Sequence, residues 1–222
     1  MRSWPIFRAY NLILFFALVL AVPGVAATEL LNGAAASVGS KVITVRDAQF
    51  YRALQRYREG GSNIFARESG EDLKKTVQKV ALEEMVFLEM KSFRYGSSAR
   101  GEAEKMLRQR RQSDKTNTWS KLLREFNKSE SFVIESLSRS LEIEKFLQKK
   151  IETLTPVITD AEAERYYRQN ASRYPGDLET NRAQVVRDLK FERMQKSLED
   201  WVQALREKYK FVNHLPSGTG KG

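Results

Sequence analysis

The sequence predicts a mostly α-helical lobe with a small amount of β-structure. Three observations support this fold class. Two short apolar runs flank a Gly-Ser turn at 34–44, as in a small β-hairpin. Capping-box patterns occur at Thr44/Asp47 and Thr159/Glu162, each just before a helical segment. Near the C-terminus, apolar residues recur every three or four positions for about five turns: Phe191, Met194, Leu198, Trp201, Val202, Leu205 and Tyr209.

The first 27 residues have the composition of an export signal. Arg2 and Arg8 form a positively charged start, and an uncharged apolar run follows at 12–22. This run is shorter than the roughly 20 residues of a membrane-spanning helix. Cleavage is expected near Ala27, and an uncleaved membrane anchor is the alternative. The sequence therefore predicts an exported protein.

The composition of the remaining chain limits its chemistry. Removing the two signal arginines from the 38 basic residues leaves 36 against 28 acidic ones, a net charge of +8. In an exported protein this favours an anionic membrane surface or acidic polypeptides as partners over nucleic acid, with solubility alone as the alternative. The chain has no cysteine and one histidine, His214, so neither a cofactor nor a metal site is predicted.

The first half of the chain is expected to contain a hairpin and several helices. The hairpin strands are 34–38 and 42–44, and Thr44 begins a helix whose apolar face includes Phe50, Leu54 and Tyr57. Ser69 with Asp72 begins a longer helix that runs to about Phe93. Two apolar stripes predict burial on two sides of that helix: Leu73, Val77, Val80 and Leu88 in one, and Leu82, Val86, Met90 and Phe93 in the other.

The second half is expected to be helical at 102–112, 119–126 and 131–154. In the last of these, the apolar residues of the two halves point in different directions, which predicts different neighbours along its length. The capped helix after Thr159 carries Tyr166 and Tyr167 and ends at Pro175. A final helix is expected from about Arg182, followed by a short strand at 211–212 and a disordered tail at 214–222.

No catalytic constellation is evident in the sequence. The carboxylate pairs Glu83-Glu84 and Glu142/Glu144 lie on helices among lysines, so they are interpreted as solvated helix faces rather than catalytic dyads. Neither a nucleophile elbow nor a phosphate-binding glycine loop is present.

Three segments resemble the SurA-type periplasmic chaperones. "AAASVGSKVITVRDAQF" is similar to the opening of these proteins, and "SFVIESLSRSLEIEKFLQKKIETLTPVITDAEAERYYRQNASRYP" is similar to the segment before the prolyl isomerase domain in SurA and PrsA relatives. "VVRDLKFERMQKSLEDWVQALREKYKFV" resembles their C-terminal helix and strand, which fold back onto the N-terminal part. The resemblance implies a chaperone core at 28–213, with the C-terminal helix packing back onto the N-terminal lobe.

The chain departs from this family at one place. The family usually carries a parvulin domain of roughly a hundred residues between 28–175 and 182–213, where this chain has the short linker 176–181. The resemblance therefore implies a chaperone core without isomerase activity, and no enzyme is expected. A truncated isomerase is the unfavoured alternative.

The predicted function is that of an ATP-independent holdase for unfolded exported or outer-membrane proteins. Such a protein needs apolar side chains that are exposed in a cleft. A structural or assembly partner of one dedicated protein, or of a second copy, is the alternative function, and the oligomeric state stays open. The candidate client-binding residues, each of which could instead complete the core, are Ile64, Phe65, Tyr95, Trp119 and Phe126.

The segment 100–121 is the most basic part of the chain. Arg108, Arg110 and Arg111 form its centre. The cluster is interpreted either as an exposed helix face or as a contact for anionic lipid or for acidic segments of a client.

Overall fold

The computed structural model describes residues 33–61, 63–66, 68, 70–96 and 98–216. The export signal predicted at 1–27, the helix cap predicted at Ser69 and residues 217–222 of the predicted tail lie outside the described residues.

The described chain is mostly helical and carries one three-stranded antiparallel sheet. The strands are β1 (Ala34–Val38), β2 (Lys41–Thr44) and β3 (Phe211–Asn213). The helices are α1 (Val45–Arg58), α2 (Gly70–Ser92), α3 (Arg100–Gln112), α4 (Thr118–Phe126), α5 (Glu130–Leu154), α6 (Asp160–Gln169) and α7 (Leu178–Lys208), with a short 3₁₀ turn at Ala171–Arg173. The predicted fold class is confirmed at this level.

The sheet confirms the predicted hairpin and adds the C-terminal strand to it. The strand order is β2-β1-β3, and Ser37 pairs with Val42 on one side and with Val212 on the other. Gly39 in the turn has a φ of 57°, a conformation that glycine adopts without strain, and its amide donates to the Tyr209 carbonyl at 2.7 Å. The segment that contains Tyr209 and β3 is therefore hydrogen-bonded to the hairpin.

Both predicted capping boxes are present. The Thr44 hydroxyl accepts from the Asp47 amide at 3.1 Å, and the Asp47 carboxylate accepts from the Thr44 amide at 3.0 Å. Thr159 and Glu162 make the same reciprocal pair at the start of α6. These contacts satisfy backbone donors that the first turn of a helix leaves unpaired.

The final helix begins earlier than predicted. α7 starts at Leu178 and not near Arg182, because the Asp177 carboxylate accepts from the Thr180 amide at 2.9 Å and stabilises the first turn. Its apolar stripe is only partly buried: Leu198 and Leu205 are buried, whereas Phe191 is 44% exposed. The apolar repeat that predicted this helix therefore does not mark a fully buried face.

The described chain forms two compact units. The first contains the residues up to Lys145 together with those from Leu205 onward, and the second is Phe146–Ala204. α5 contributes Val133, Leu137 and Leu141 to the core of the first unit, while its residues from Phe146 belong to the second. This division agrees with the prediction that the two halves of α5 have different neighbours.

The first unit has a continuous apolar core made by α1, α3, α4 and the first half of α5. Tyr57 and Trp119 lie at its centre, with ring centroids 5.6 Å apart. Its buried members are Phe50, Ala53, Leu54, Tyr57, Ile64, Ala99, Ala103, Leu107, Trp119, Leu122, Phe126, Val133, Leu137 and Leu141. α2 packs against α1 and against β1.

The second unit has a small core centred on tyrosines. Ala163, Tyr166, Tyr174, Val185 and Leu189 are buried together. The Tyr174 hydroxyl donates to Asp188 at 2.9 Å, and Tyr166 donates to Glu192. The paired tyrosines of the predicted α6 thus differ in role, because Tyr166 is buried whereas Tyr167 is half-buried and donates to the Gly176 carbonyl at 2.5 Å.

Candidate functional site

Three of the five predicted client-binding residues lie in the core. Ile64 is 1% exposed, Trp119 4% and Phe126 8%. Phe126 packs edge-on against Phe50 with ring centroids 5.5 Å apart. Their expected exposure at a surface is therefore wrong, because the loop after α1 and the short helix α4 turn these side chains inward, which was the alternative interpretation.

The other two predicted client-binding residues lie nearer the surface. Phe65 follows the buried Ile64 in the loop and is 41% exposed. Tyr95, just past the end of α2, is half-buried, and its amide donates to the Met90 carbonyl at 3.1 Å. Of the predicted set, Phe65 is the side chain that most clearly remains accessible.

Further large apolar side chains are exposed that the sequence pattern assigned to buried faces or did not single out. The clearest case is Phe93, which was predicted to lie on a buried stripe of α2 but is 64% exposed. It follows the last helical residue, Ser92, where the chain has left the helical repeat. The exposed set is completed by Val42, Phe132, Val157, Phe191 and Val212.

The predicted basic cluster is divided by its contacts. Arg110 donates from Nε to the Tyr57 carbonyl at 2.7 Å, so its guanidinium stabilises the end of α1. Arg111 forms an ion pair with Glu130 at 2.8 Å. Arg108 is 66% exposed, and its ion pair with Glu104 is long, at 3.9 Å. The cluster therefore presents one loosely paired cation rather than three.

A surface groove lies beside this cluster. It has a volume of about 330 Å³ and is formed by α3 and the beginning of α5. Its lining residues are Glu104, Leu107, Arg108, Arg111, Glu130 and Ile134. The groove combines an apolar floor with charged walls of both signs, which suits a ligand with apolar and charged groups.

The indole of Trp119 lies next to Arg111, one of the residues that line the groove. The Arg111 guanidinium lies over its ring, 5.7 Å from the centroid. Its indole N–H is buried and makes no hydrogen bond within the described part of the chain.

Asp114 accepts a hydrogen bond from the Trp119 backbone amide at 2.8 Å. Burial raises the pKa of Asp114, but hydrogen bonds from Trp119, Thr118 and Thr116 outweigh it and hold the pKa at about 2.

Glu84 is buried rather than solvated, which corrects the sequence interpretation of the Glu83-Glu84 pair. It is 7% exposed and accepts hydrogen bonds from Lys41 of β2 and Arg139 of α5. Burial raises the pKa of Glu84, but these two cations outweigh it, so the pKa lies below its ordinary value. The carboxylate therefore joins the sheet, α2 and α5 through charge.

The neighbouring Glu83 has the opposite electrostatic environment. The Tyr51 hydroxyl donates to it at 2.5 Å, and Ser140 lies at 3.5 Å. Burial raises the pKa of Glu83, and the lowering by Tyr51 and Lys79 does not compensate for it. Burial likewise lowers the pKa of Lys79. These groups form a polar cluster between α1, α2 and α5, and the amphipathic pattern gave no signal for it.

Glu89, also buried on α2, connects two parts of the first unit that are far apart in the sequence. Lys208 and the Tyr209 hydroxyl each donate to it at 2.6 Å. The hydrogen bond from the His214 amide to the Ala35 carbonyl, at 2.9 Å, continues this connection along β3. His214 therefore lies beside the sheet, although the sequence placed it in a disordered tail.

We found no protein-family model, curated protein or solved structure that matches this chain. Within the described ranges, no cluster of three or more histidine, cysteine or carboxylate residues has the arrangement of a metal site. No helix among these residues combines the length and apolar character needed to cross a membrane.

Proposed function

We propose that this chain is an ATP-independent holdase for unfolded exported polypeptides, with the architecture of a SurA-type chaperone core that lacks the isomerase domain. The export signal expected at 1–27 supports a periplasmic location. The C-terminal strand that completes the N-terminal sheet supports the chaperone-core architecture.

The observation that carries this proposal is the exposure of large aromatic side chains. Four phenylalanines in the described residues are 41–64% exposed: Phe65, Phe93, Phe132 and Phe191. Each exposes apolar surface to water in the free protein, and a client that covers it gains part of the roughly 1.5–3 kcal/mol that full burial of such a side chain contributes. Because apolar contacts are non-directional, such side chains can bind an unfolded chain without recognising one sequence.

The expected affinity is moderate. Association itself costs roughly 4–15 kcal/mol, so several aromatic contacts are needed before binding becomes favourable. A net free energy near −8 kcal/mol corresponds to about micromolar affinity. Binding at this strength allows a carrier to release its client without ATP.

The test is suppression of aggregation for several unrelated denatured proteins, measured by light scattering without nucleotide. We expect Phe93→Ser and Phe65→Ser each to weaken suppression, because each removes an exposed aromatic contact. Val157→Ser is the matched control, since this side chain is 90% exposed but aliphatic and small. Circular dichroism checks that each variant keeps its helical content.

Two outcomes contradict the proposal. One is wild-type protein that protects none of the clients. The other is a pair of phenylalanine variants that protect as well as wild type does. If Val157→Ser weakens the suppression of aggregation as much as Phe93→Ser does, the effect is not specific to aromatic contacts.

One observation favours the alternative, in which the protein assembles with itself or with one dedicated partner. Val42 and Val212 flank Ser37 across the sheet and are 53% and 48% exposed, so they form an apolar row on its outer face. A solution mass that rises with protein concentration supports self-assembly through such a face, and a constant mass excludes it.

A further inference from the structure

The groove beside α3 combines the two kinds of surface that recognise a polypeptide segment. Its floor contains Leu107, which is 4% exposed, and Ile134, which packs against the core of the first unit. An apolar side chain that enters the groove therefore meets apolar atoms that are already fixed by the core. A volume of about 330 Å³ lies at the lower end of the range typical of ligand sites.

The two arginines of the groove are held differently. Arg111 is fixed between Glu130, at 2.8 Å, and the ring of Trp119, with its guanidinium 5.7 Å from the centroid. Arg108 is 66% exposed, and its Nη1 lies 3.9 Å from Glu104. Arg111 therefore forms part of the wall, whereas the Arg108 guanidinium has donors directed to solvent.

Glu104 does not neutralise Arg108 effectively. Its other carboxylate oxygen accepts from Arg100 Nε at 3.1 Å, a shorter contact than the one to Arg108. A carboxylate on a ligand can therefore replace a long ion pair with a bidentate one, which is the geometry that guanidinium groups favour.

We propose that this groove is a client-binding subsite for polypeptide segments in which an apolar side chain lies next to an acidic one. The apolar side chain contacts Leu107 and Ile134, and the carboxylate binds Arg108. This inference rests on the proposed holdase function and adds a preferred segment chemistry to it. Two arginines and two glutamates line the groove, and because Glu104 is also paired with Arg100, the loosely paired Arg108 favours an acidic segment.

The carboxylates in the same groove disfavour a membrane as the occupant. Glu104 and Glu130 line the groove beside the arginines. A dense anionic surface brings headgroups against these carboxylates as well as against the guanidinium groups, and like charges repel. A single acidic side chain on a peptide avoids this repulsion.

The test is fluorescence anisotropy with two labelled peptides, one repeating leucine and glutamate and one repeating leucine and lysine. We expect wild-type protein to bind the leucine-glutamate peptide more tightly. Arg108→Glu should weaken that binding by about tenfold and should strengthen binding of the leucine-lysine peptide, because the charge of the wall is reversed. Ile134→Ser should weaken binding of both peptides.

Lys105→Glu is the matched control. Lys105 is exposed on the same helix and the substitution makes the same change in charge, but the residue does not line the groove. We expect its peptide affinity to stay within about twofold of wild type, because a rim charge outside the contact adds little. If Arg108→Glu and Lys105→Glu lose the same affinity for the leucine-glutamate peptide, only the net charge matters and the inference is overturned.

The two proposals fail in different ways. If wild-type protein suppresses aggregation but Arg108→Glu binds both peptides as wild type does, the groove assignment is wrong and the holdase proposal stands. If wild-type protein neither suppresses aggregation nor binds either peptide, the holdase proposal fails together with the subsite. Displacement of the peptide by anionic phospholipid vesicles, but not by neutral ones, would assign the groove to a lipid surface instead.

Discussion

The two units of the molecule differ in where their polar contacts come from. In the first unit, Glu89 on α2 is bonded to Lys208 and Tyr209, which lie 119 and 120 positions away in the chain. In the second unit, the ion pairs and tyrosine hydroxyls connect residues with smaller separations in the sequence, as in Arg193 with Glu162, 31 positions apart. The first unit therefore pairs its buried carboxylates with residues from distant parts of the sequence, whereas the second unit is one continuous segment.

The two units also differ in how deeply their ion-paired carboxylates are buried. Glu84 and Glu89 are each 7% exposed, so their cations prevent an unpaired charge in the core. Exposed pairs in the second unit, such as Arg168 with Glu164, lie in water and contribute about 0–1 kcal/mol. The difference indicates that removing one partner of a buried ion pair costs the first unit more than removing a partner of an exposed pair costs the second.

The largest expected effect comes from ending the chain after Glu207. This change removes β3 together with Lys208 and Tyr209, which donate two hydrogen bonds to the buried Glu89 carboxylate. We expect a loss of about 3–5 kcal/mol in the free energy of unfolding of the first unit. The measurement is urea unfolding together with hydrogen exchange at the amides of β1 and α6.

The matched control ends the chain after Pro216, which keeps β3 and all partners of Glu89. It should unfold as the full chain does. The comparison between units predicts that the truncation after Glu207 exposes β1 amides while α6 amides keep their protection. Equal loss of protection in both elements would contradict the view that the second unit is completed locally.

A smaller effect is expected from Arg139→Met, which removes one of the two cations paired with Glu84. The expected cost is about 1.5–3 kcal/mol at neutral pH, since a hydrogen bond to a buried charge is lost. Arg168→Met is the control and should cost less than about 1 kcal/mol. Chemical denaturation of both variants measures the difference, and equal costs would remove the distinction between buried and exposed pairs.

The same variant has a predictable pH dependence. Because the pKa of Glu84 lies below its ordinary value in the folded protein, its contribution to stability is present above the unfolded-state pKa. That contribution is lost as the pH falls through the folded-state pKa. The difference in the free energy of unfolding between wild type and Arg139→Met should therefore become smaller in acid. A difference that stays constant with pH would contradict the assignment of the effect to Glu84.

The smallest effect is expected from Tyr209→Phe. It removes one hydroxyl donor to Glu89 but leaves Lys208 in place. The expected cost is about 0.5–1.5 kcal/mol. Tyr167→Phe serves as the comparison, because that hydroxyl donates to the exposed Gly176 carbonyl, which water can satisfy. Tyr167→Phe should lower the free energy of unfolding by less than Tyr209→Phe does. A larger loss in Tyr167→Phe would contradict the view that buried polar contacts matter more in the first unit.

Local structure followed from the sequence because its determinants are neighbours in the chain. Both capping boxes join residues three positions apart, and both were predicted. The hairpin and the C-terminal strand were predicted as elements from their short apolar runs. The start of α7 was misplaced by four residues, because the Asp177 cap lies outside the apolar pattern that defined the helix.

The candidate site was much less accessible to sequence reasoning. Of the predicted client-binding residues, Phe65 is clearly exposed, while Ile64, Trp119 and Phe126 are buried. An aromatic residue in a loop or short helix has the same local pattern whether it points to a core or to solvent. The groove was not predicted either, because it needs Leu107 and Ile134 from two different helices.

The sequence by itself determined the helical fold class, the caps and the apolar runs, because these depend on contacts within a few residues. Tertiary structure alone decided that Glu84 and Glu89 are buried with cations from distant strands and helices. It also decided that Phe191 remains exposed on α7, and that α2 ends just before Phe93, whose side chain is exposed. A helix can present only one of its faces to a given neighbour, and the position of that neighbour is set by residues far away in the chain.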